Sequence, residues 1–480
     1  SGLVGSEMCI RDRKYRHMKT NNLYITLFAA LAITACGKDN ELPQGSAKDP
    51  NADMPDAYTS IAINIPHTTM TKAASGRAID QGIADENKVK TLHVFIYDTD
   101  APNTPTVAEF TVDDNSLAPK SPGSSTWVTN RAIKTKKADK YIFAAVNLNT
   151  DMVNYITANG LGSFSYNQFA QEISQLADLT NGFVMFNTSY PESTPAANLY
   201  ENESLAQTNR MAIPVSRVVA KAAVFKANDF VVNGGGNMTE IKFGWRNLNK
   251  KFYFIQDKRD GIIKDYNWEN YSVSDFERGS DAINTYTSTD DPVTFSYAPE
   301  NSFKDSLDQT EVNGTTFISV SGVFTPDKVI STSNPSPTQP ADFAIISNPN
   351  NSDKTFYVVR TADGIANYFV NGTIAQQYAD LCSKNTPGMP LYNGTYILNE
   401  NTFTNGICYF HIFVNANATS PQAPYNVYRN QYFKVNIHSI QAPGNPSDNF
   451  DTGEVIKSET WISTDIEITP WEVYEEDYDL

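Results

Sequence analysis

Between positions 58 and 66 the chain alternates as only a half-buried strand can: Ile61, Ile63 and Ile65 fall on one face, Ala62 and Asn64 on the other. Comparable apolar stretches recur at 89–97, 141–148, 183–186, 211–215 and 218–224. Further on they appear at 241–245, 251–255, 294–297, 316–324, 356–359, 409–414, 432–440 and 464–473. They are short, rich in β-branched and aromatic residues, and separated by turns of Pro, Asn, Asp and Ser. Helical periodicity is scarce. Ser165-Tyr166-Asn167-Gln168 resembles a capping box with Phe169, Ile173 and Leu176 behind it at helical spacing, and a second short helix is expected over 374–382. Many strands and few helices predict an all-β chain, long enough for two sandwiches with real cores. Asn233-Gly234-Gly235-Gly236-Asn237 is the strongest linker signal and sets the expected boundary between a first domain at 78–235 and a second at 236–480.

Ahead of the first strand the sequence reads as an export signal. Met18-Lys19 supplies a start and a basic residue, and 23–33 is a mostly apolar run too short to span a bilayer. Ile33-Thr34-Ala35-Cys36 is a small-residue cleavage site ending in cysteine. This is the pattern of a bacterial lipoprotein: 18–35 is removed and Cys36 becomes the lipidated (palmitate-bearing) first residue, outside the cytoplasm. Residues 1–17 fit no part of that signal, and GSEMCIRDR looks like translated sequencing-adapter read-through, so this leader is set aside as non-native. Residues 38–55, punctuated by Pro43, Pro50 and Pro55, read as a tether. Just past the first strand, 71–78 is a small-residue stretch with Lys72 and Arg77, expected to be an exposed, trypsin-sensitive loop.

Composition removes several functional classes. The chain has 54 acidic and 37 basic residues, net −17, with no basic cluster, so no nucleic-acid partner is expected. After Cys36 no apolar stretch approaches membrane-spanning length, which leaves the lipid as the expected anchor. With Cys9 in the leader and Cys36 lipidated, Cys382 and Cys408 remain, either as a disulfide or as two buried thiols. No CxxC or Cys/His spacing suggests zinc, and Asp98 with Asp100 is too small a ligand set for calcium, so neither metal nor cofactor is expected. Of His67, His93, His411 and His438, three fall inside strand patterns and read as structural. There is no HExxH, G-x-S-x-G or P-loop, so the chain is expected to have no catalytic residues and not to be an enzyme. The acidic stretch 475–479 reads as a solvated end.

In order along the chain, several segments resemble one family. Ser216-Arg217-Val218-Val219-Ala220-Lys221 and Thr316-Phe317-Ile318-Ser319-Val320-Ser321-Gly322-Val323-Phe324-Thr325-Pro326 are similar to its interior segments. Tyr428-Arg429-Asn430-Gln431-Tyr432-Phe433-Lys434-Val435 looks like its "RN-x-Y" strand, and Asp465-Ile466-Glu467-Ile468-Thr469-Pro470-Trp471-Glu472-Val473 like its terminal strand. With the lipobox first, this order resembles the FimA/Mfa fimbrillins, type V pilus subunits of Bacteroidia, and most closely the Mfa-type major subunit. The resemblance implies two tandem transthyretin-like β-sandwich domains and a fimbrial subunit at the outer membrane surface. It implies maturation by an Arg- or Lys-specific, trypsin-like protease, which removes a pro-segment at 36–77, and polymerisation by donor-strand exchange in support of adhesion. Residue by residue, Arg77-Ala78 matches the processing site, with Lys72 as a competing cut, and Ile61, Ile63 and Ile65 match the displaced strand. Ile466 and Ile468 match the donor strand, flanked by Ile462, Trp471 and Val473; Pro470 shifts side-chain parity there. The implied partners are identical subunits, accessory tip and anchor subunits, the protease, and ligands on host or bacterial surfaces. The alternatives are an anchored surface lipoprotein adhesin and a fimbrial tip or anchor subunit.

Overall fold

The computed structural model describes residues 51–470 except 52, 67–83, 165–167, 259–260, 278, 280–283, 286–294, 305–311, 350–351, 393, 420–421, 450–455 and 457–461. The first half is built from β1 (Asp56–Thr59), β2 (Ile61–Asn64), β3 (Thr91–Asp98), β4 (Ala101–Thr111), β5 (Leu117–Pro119), β6 (Thr126–Thr129) and β7 (Ile133–Lys136). It continues with β8 (Lys140–Val146), β9 (Met185–Asn187) and β10 (Met211–Arg217). Eight of these form one sheet in the order β4-β3-β8-β9-β10-β2-β6-β5, while β1 pairs with β7. The sheet turns at β10, whose first residues pair with β2 and whose last pair with β9. Both arms feed one core: Ile61, Ile63 and Leu117 from one side share a cluster with Val94, Phe95, Phe143 and Val146 from the other. Phe164 stacks on Phe143 at 4.0 Å between ring centroids in the middle of it.

The second half forms a sandwich from β11 (Val219–Val232), β12 (Gly236–Arg246), β13 (Ser296–Pro299), β14 (Phe317–Pro326), β15 (Ile407–Ile412), β16 (Gln431–Ile440) and β17 (Ile462–Pro470). One sheet runs β13-β11-β16-β17, and the other runs β12-β14-β15 with the short strand Asn284–Thr285 outside β12. Alternate residues point inward from both: Ala220, Ala222 and Val224, Phe433, Val435 and Ile437 meet Phe243, Trp245, Ile318, Val320, Phe410 and Ile412. The Trp245 ring meets Phe433 edge-on at 5.5 Å, and its Nε1–H donates to the Ser296 carbonyl at 3.1 Å. The other face of β11, with Val219, Ala223 and Phe225, belongs to the first core. Burial on both faces explains why 218–225 reads as a nearly unbroken apolar run rather than an alternation. The glycine run at 234–236 lies inside this sandwich. β11 ahead of it pairs with β16, β12 behind it pairs with β14, and Gly235 takes φ +69° in the turn.

The fold is all-β, with few and short helices. The helix expected over 165–176 does not form in the part described. Gln168–Ala170 is a strand paired antiparallel with Lys251–Tyr253, and only Ile173–Leu176 makes a helical turn. An available strand edge and the packing of Phe169 against Phe252 and Phe254 outweigh the local spacing. A helix does form just before, α1 (Thr150–Asn159), whose N-cap Asn149 accepts from Met152 N and which buries Met152 and Ile156 one turn apart. The expected helix near 374 is α2 (Gly372–Ser383), capped by Asn371, which accepts from the Thr373 and Ile374 N–H groups. It lies in the stretch between β14 and β15, and buries Ala375, Tyr378, Ala379 and Cys382 in a third small core with Val359 and Phe369. Cys408 belongs to the second core, so Cys382 and Cys408 are separate, buried thiols with no disulfide between them. Burial pushes the Cys382 thiol up to about 11.

Candidate functional site

Two isoleucine strands expected to carry function occupy unlike positions. β2 is interior: it runs parallel to β10, Ile61 opposite Met211 and Ile63 opposite Ile213, and antiparallel to β6, Ile63 opposite Trp127. Ile61 and Ile63 are wholly buried and Ile65 is 3% exposed. Side chains reinforce the ladder. The Ile61 N–H donates to Thr129 Oγ1 at 3.1 Å, that hydroxyl donates back to the Ile61 carbonyl at 3.3 Å, and Thr126 Oγ1 donates to Asn64 Oδ1 at 2.8 Å. Burying three isoleucines at about 1.5–3 kcal/mol each makes this short strand a large share of the local core.

The chain ahead of β2 is fastened by polar contacts. β1 meets Tyr200 through two backbone hydrogen bonds at Tyr58. Asp56 lies 2.7 Å from Lys134 and 3.1 Å from Lys136, exposed pairs that contribute little. Asn51 Nδ2 donates to Asp98 Oδ2 at 2.8 Å and Asp100 Oδ1 at 2.7 Å, and Lys140 pairs with Asp98. The two carboxylates weighed for calcium therefore bind the protein's own N-terminal segment.

Lys72, Arg77 and Ala78 lie outside the described residues, as does Cys36. The chain re-enters at Ala84–Asn87, a single 3-10 turn on which Glu86 is wholly buried. Its carboxylate is 3.0 Å from Lys221 Nζ and accepts from the Tyr297 hydroxyl at 2.6 Å. Arg217 Nε donates to the Glu86 carbonyl at 3.3 Å and its guanidinium also reaches Asn87 Oδ1. Lys221 lies on β11, 3.5 Å from the Phe295 ring centroid and 4.9 Å from that of Tyr432. Burial first, then the Glu86 carboxylate, pushes the Tyr297 hydroxyl far above its usual range. This cluster ties the chain at 84–87 to the second sandwich. The segment Ser216–Lys221 was legible as distinctive in the sequence, but not its partner Glu86. The available signal was a lysine set in the run Val-Ala-Lys-Ala-Ala-Val, a cation that burial obliges to find an anion.

β17 is an edge strand, paired among the described residues only with β16: Ile468 is opposite Phe433, Ile466 opposite Val435, and a register shift intervenes before Ile462 meets Ile440. Ile462 is buried in the second core and Ile466 packs half-buried against it. Trp471 and Val473 lie outside the described residues. β2 and β17 belong to different sheets, so the chain does not bring its own displaced-strand and donor-strand candidates together. The strand histidines all contact carboxylates: His93 lies 3.8 Å from Glu109, His411 3.1 Å from Asp448, and His438 2.8 Å from Asp229. Asp448 also accepts from Ser319 Oγ at 2.7 Å and from Arg246, which fastens the connection between β16 and β17 to the opposite sheet.

These features define an all-β, two-sandwich protein with a buried interior strand near its N-terminus and a one-sided edge strand at its C-terminus. Residues 401–477 match the family model described as major fimbrial subunit protein type IV, fimbrillin, C-terminal. This C-terminal stretch is therefore similar to the C-terminal part of a fimbrillin. No curated protein matches the chain by sequence. Among solved structures it is similar to a proposed cell adhesion protein of Parabacteroides distasonis (15% identity, 87% of this chain and 99% of that chain, TM-score 0.46). It is similar also to the C-terminally truncated tip fimbrial protein Mfa3 of Porphyromonas gingivalis (14% identity, 87% and 100%, TM-score 0.36). A fimbrial assembly protein of Parabacteroides distasonis matches at 13% identity over 62% of this chain and 88% of that chain, TM-score 0.30.

Proposed function

We propose that this chain is the repeating unit of a cell-surface fimbria, exported as a lipoprotein and joined to identical subunits by strand exchange. The observation that carries the reading is the opposite placement of its two isoleucine strands: β2 is paired on both sides and β17 on one. In this reading the lipid on Cys36 holds the precursor at the outer membrane, and a trypsin-like protease cuts at Arg77-Ala78 or at Lys72. β1 and β2 then leave, held only by non-covalent contacts. β10 and β6 are left with unpaired N–H and C=O groups beside three vacant isoleucine sites. The terminal strand of a second subunit, with Ile466 and Ile468 as anchors and Ile462, Trp471 and Val473 flanking them, restores the ladder. Each hydrogen bond returns about 1 kcal/mol net and each buried isoleucine about 1.5–3 kcal/mol, so the joint dissociates slowly. The Glu86–Lys221 cluster keeps the new N-terminal end attached while the groove stands open. Tip and anchor subunits terminate the fibre, whose surface meets adhesion ligands.

The experiment is limited trypsin treatment of the purified precursor, read by intact mass and electron microscopy. Cutting confined to Lys72 or Arg77, followed by SDS-resistant ladders or filaments that vanish when 462–480 is deleted, is the expected result. A clean cut that leaves only stable monomers removes strand exchange and favours a tip subunit or an anchored adhesin.

A further inference from the structure

A cleft of about 880 Å³ opens where the two sandwiches meet, with Thr188 and Ser216 on one wall and 415–419 and 428–431 on the other. Its volume is that of a small-ligand site. In a chain with 54 acidic residues against 37 basic ones, the lining holds, among the described residues, two cations, Lys258 and Arg429, and no carboxylate. Arg429 is already used: it pairs with Glu300 at 2.9 Å and donates to the Tyr253 and Phe254 carbonyls at 2.8 and 3.0 Å. Lys258 is exposed and makes no hydrogen bond or ion pair with a described residue.

Two carboxamides of the lining, Gln256 and Gln431, are fixed at one end. Gln431 is 9% exposed, and its Oε1 accepts from Tyr428 N at 3.0 Å and Asn415 Nδ2 at 3.3 Å, which leaves its amide N–H groups without a partner among the described residues. Gln256 is 8% exposed and donates to Glu300, which leaves its carbonyl oxygen. Asn430 Oδ1 is buried with no partner among the described residues. An acceptor left in that state costs about 1–3 kcal/mol, which a ligand donor offsets. Such donors and acceptors match vicinal hydroxyls, which both donate and accept, and the ammonium of Lys258, without a hydrogen bond or ion pair among the described residues, matches a carboxylate.

We propose that this cleft binds an acidic saccharide, its ring hydroxyls held by Gln256, Asn430 and Gln431 and its carboxylate by Lys258. Ile466 of β17 also lines the cleft, so the site is tested in the uncut chain, before any strand exchange. Two variants separate binding from folding. Lys258→Met removes the charge at an exposed position. Asn430→Gly removes the carboxamide while tolerating the φ of +61° that the backbone adopts there.

The test is calorimetric titration of the uncut full chain with 3′-sialyllactose and with lactose. Sialyllactose should bind about tenfold tighter than lactose, Lys258→Met should erase that difference, and Asn430→Gly should weaken both sugars about tenfold, with thermal unfolding unchanged. No heat with either sugar at about 10 mM, or binding indifferent to both variants, overturns the proposal. Binding by the uncut chain that disappears entirely in assembled filaments also overturns it as a surface site, and assigns the cleft beside Ile466 to the joint between subunits.

Discussion

β2 and β17 are written in nearly the same letters, Ile-Ala-Ile-Asn-Ile at 61–65 and Asp-Ile-Glu-Ile-Thr at 465–469, and their environments are opposite. One lies between two neighbours with its isoleucines wholly buried; the other closes a sheet edge with Ile466 half-buried. The side-chain pattern specifies a face, because alternate residues of a strand point the same way. It carries no information about how many strands lie beside it, which depends on chain segments far away: β10 lies about 150 residues after β2. The two neighbourhoods also assign the strands different physical tasks. An interior strand leaves a defined groove if it is lost, whereas an edge strand detaches by giving up only one ladder.

The contrast breaks first at the isoleucines. Ile63→Asp places an unpaired carboxylate in the first core and should cost about 4 kcal/mol or more in urea unfolding of the precursor, while Ile466→Asp should cost less than about 2. Equal losses would mean that β2 is no more deeply held than β17. Next comes the fastening behind the groove. Glu86→Gln leaves Lys221 buried without its anion and should cost about 3–5 kcal/mol, most of it recovered in the double variant with Lys221→Met, as a double-mutant cycle would report. A smaller effect sharpens the other strand: Ile466→Ala should cost the precursor only about 1–2 kcal/mol yet slow filament growth after trypsin at least about tenfold, read by electron microscopy or light scattering. If growth is untouched, β17 is not the donor.

The smallest effect is one of pH. His93 lies on β3 of the sheet that holds β2, and burial depresses its pKa below the usual 6.5 despite the Glu109 carboxylate nearby. The unfolded chain therefore takes up the proton first. Stability from this group is complete above pH 6.5 and is lost as the pH falls from 6.5 toward the depressed value. Urea midpoints across pH 5–8 should show this slope, and His93→Gln should flatten it.

Much of the strand content was legible because alternation and β-branched runs are local. The apolar run at 218–224 was recognisable as a strand, while its burial on both faces emerged only in the structure. The expected helix at 165–176 was misjudged because its capping and spacing signals are local, while the ladder from Lys251–Tyr253 that captured Gln168–Ala170 is not. α1 gave a weaker apolar stripe, Met152 and Ile156, among polar neighbours. At the candidate site the two isoleucine strands were visible in the sequence. Glu86 was not, since one glutamate in a polar stretch is indistinguishable from a solvated one until Lys221 and Tyr297 are placed against it.

The sequence by itself determined the class of the fold and the face that each strand buries, because both depend on neighbours within a few positions; the candidate residues for processing and donation came from the resemblance to the fimbrillins. Only the tertiary structure decided which strand is interior and which is an edge, that Cys382 and Cys408 lie in separate cores, and where Glu86 and the carboxamides of the cleft find their partners. Those are properties of contacts between residues many tens of positions apart, and no local pattern encodes which distant segment completes them.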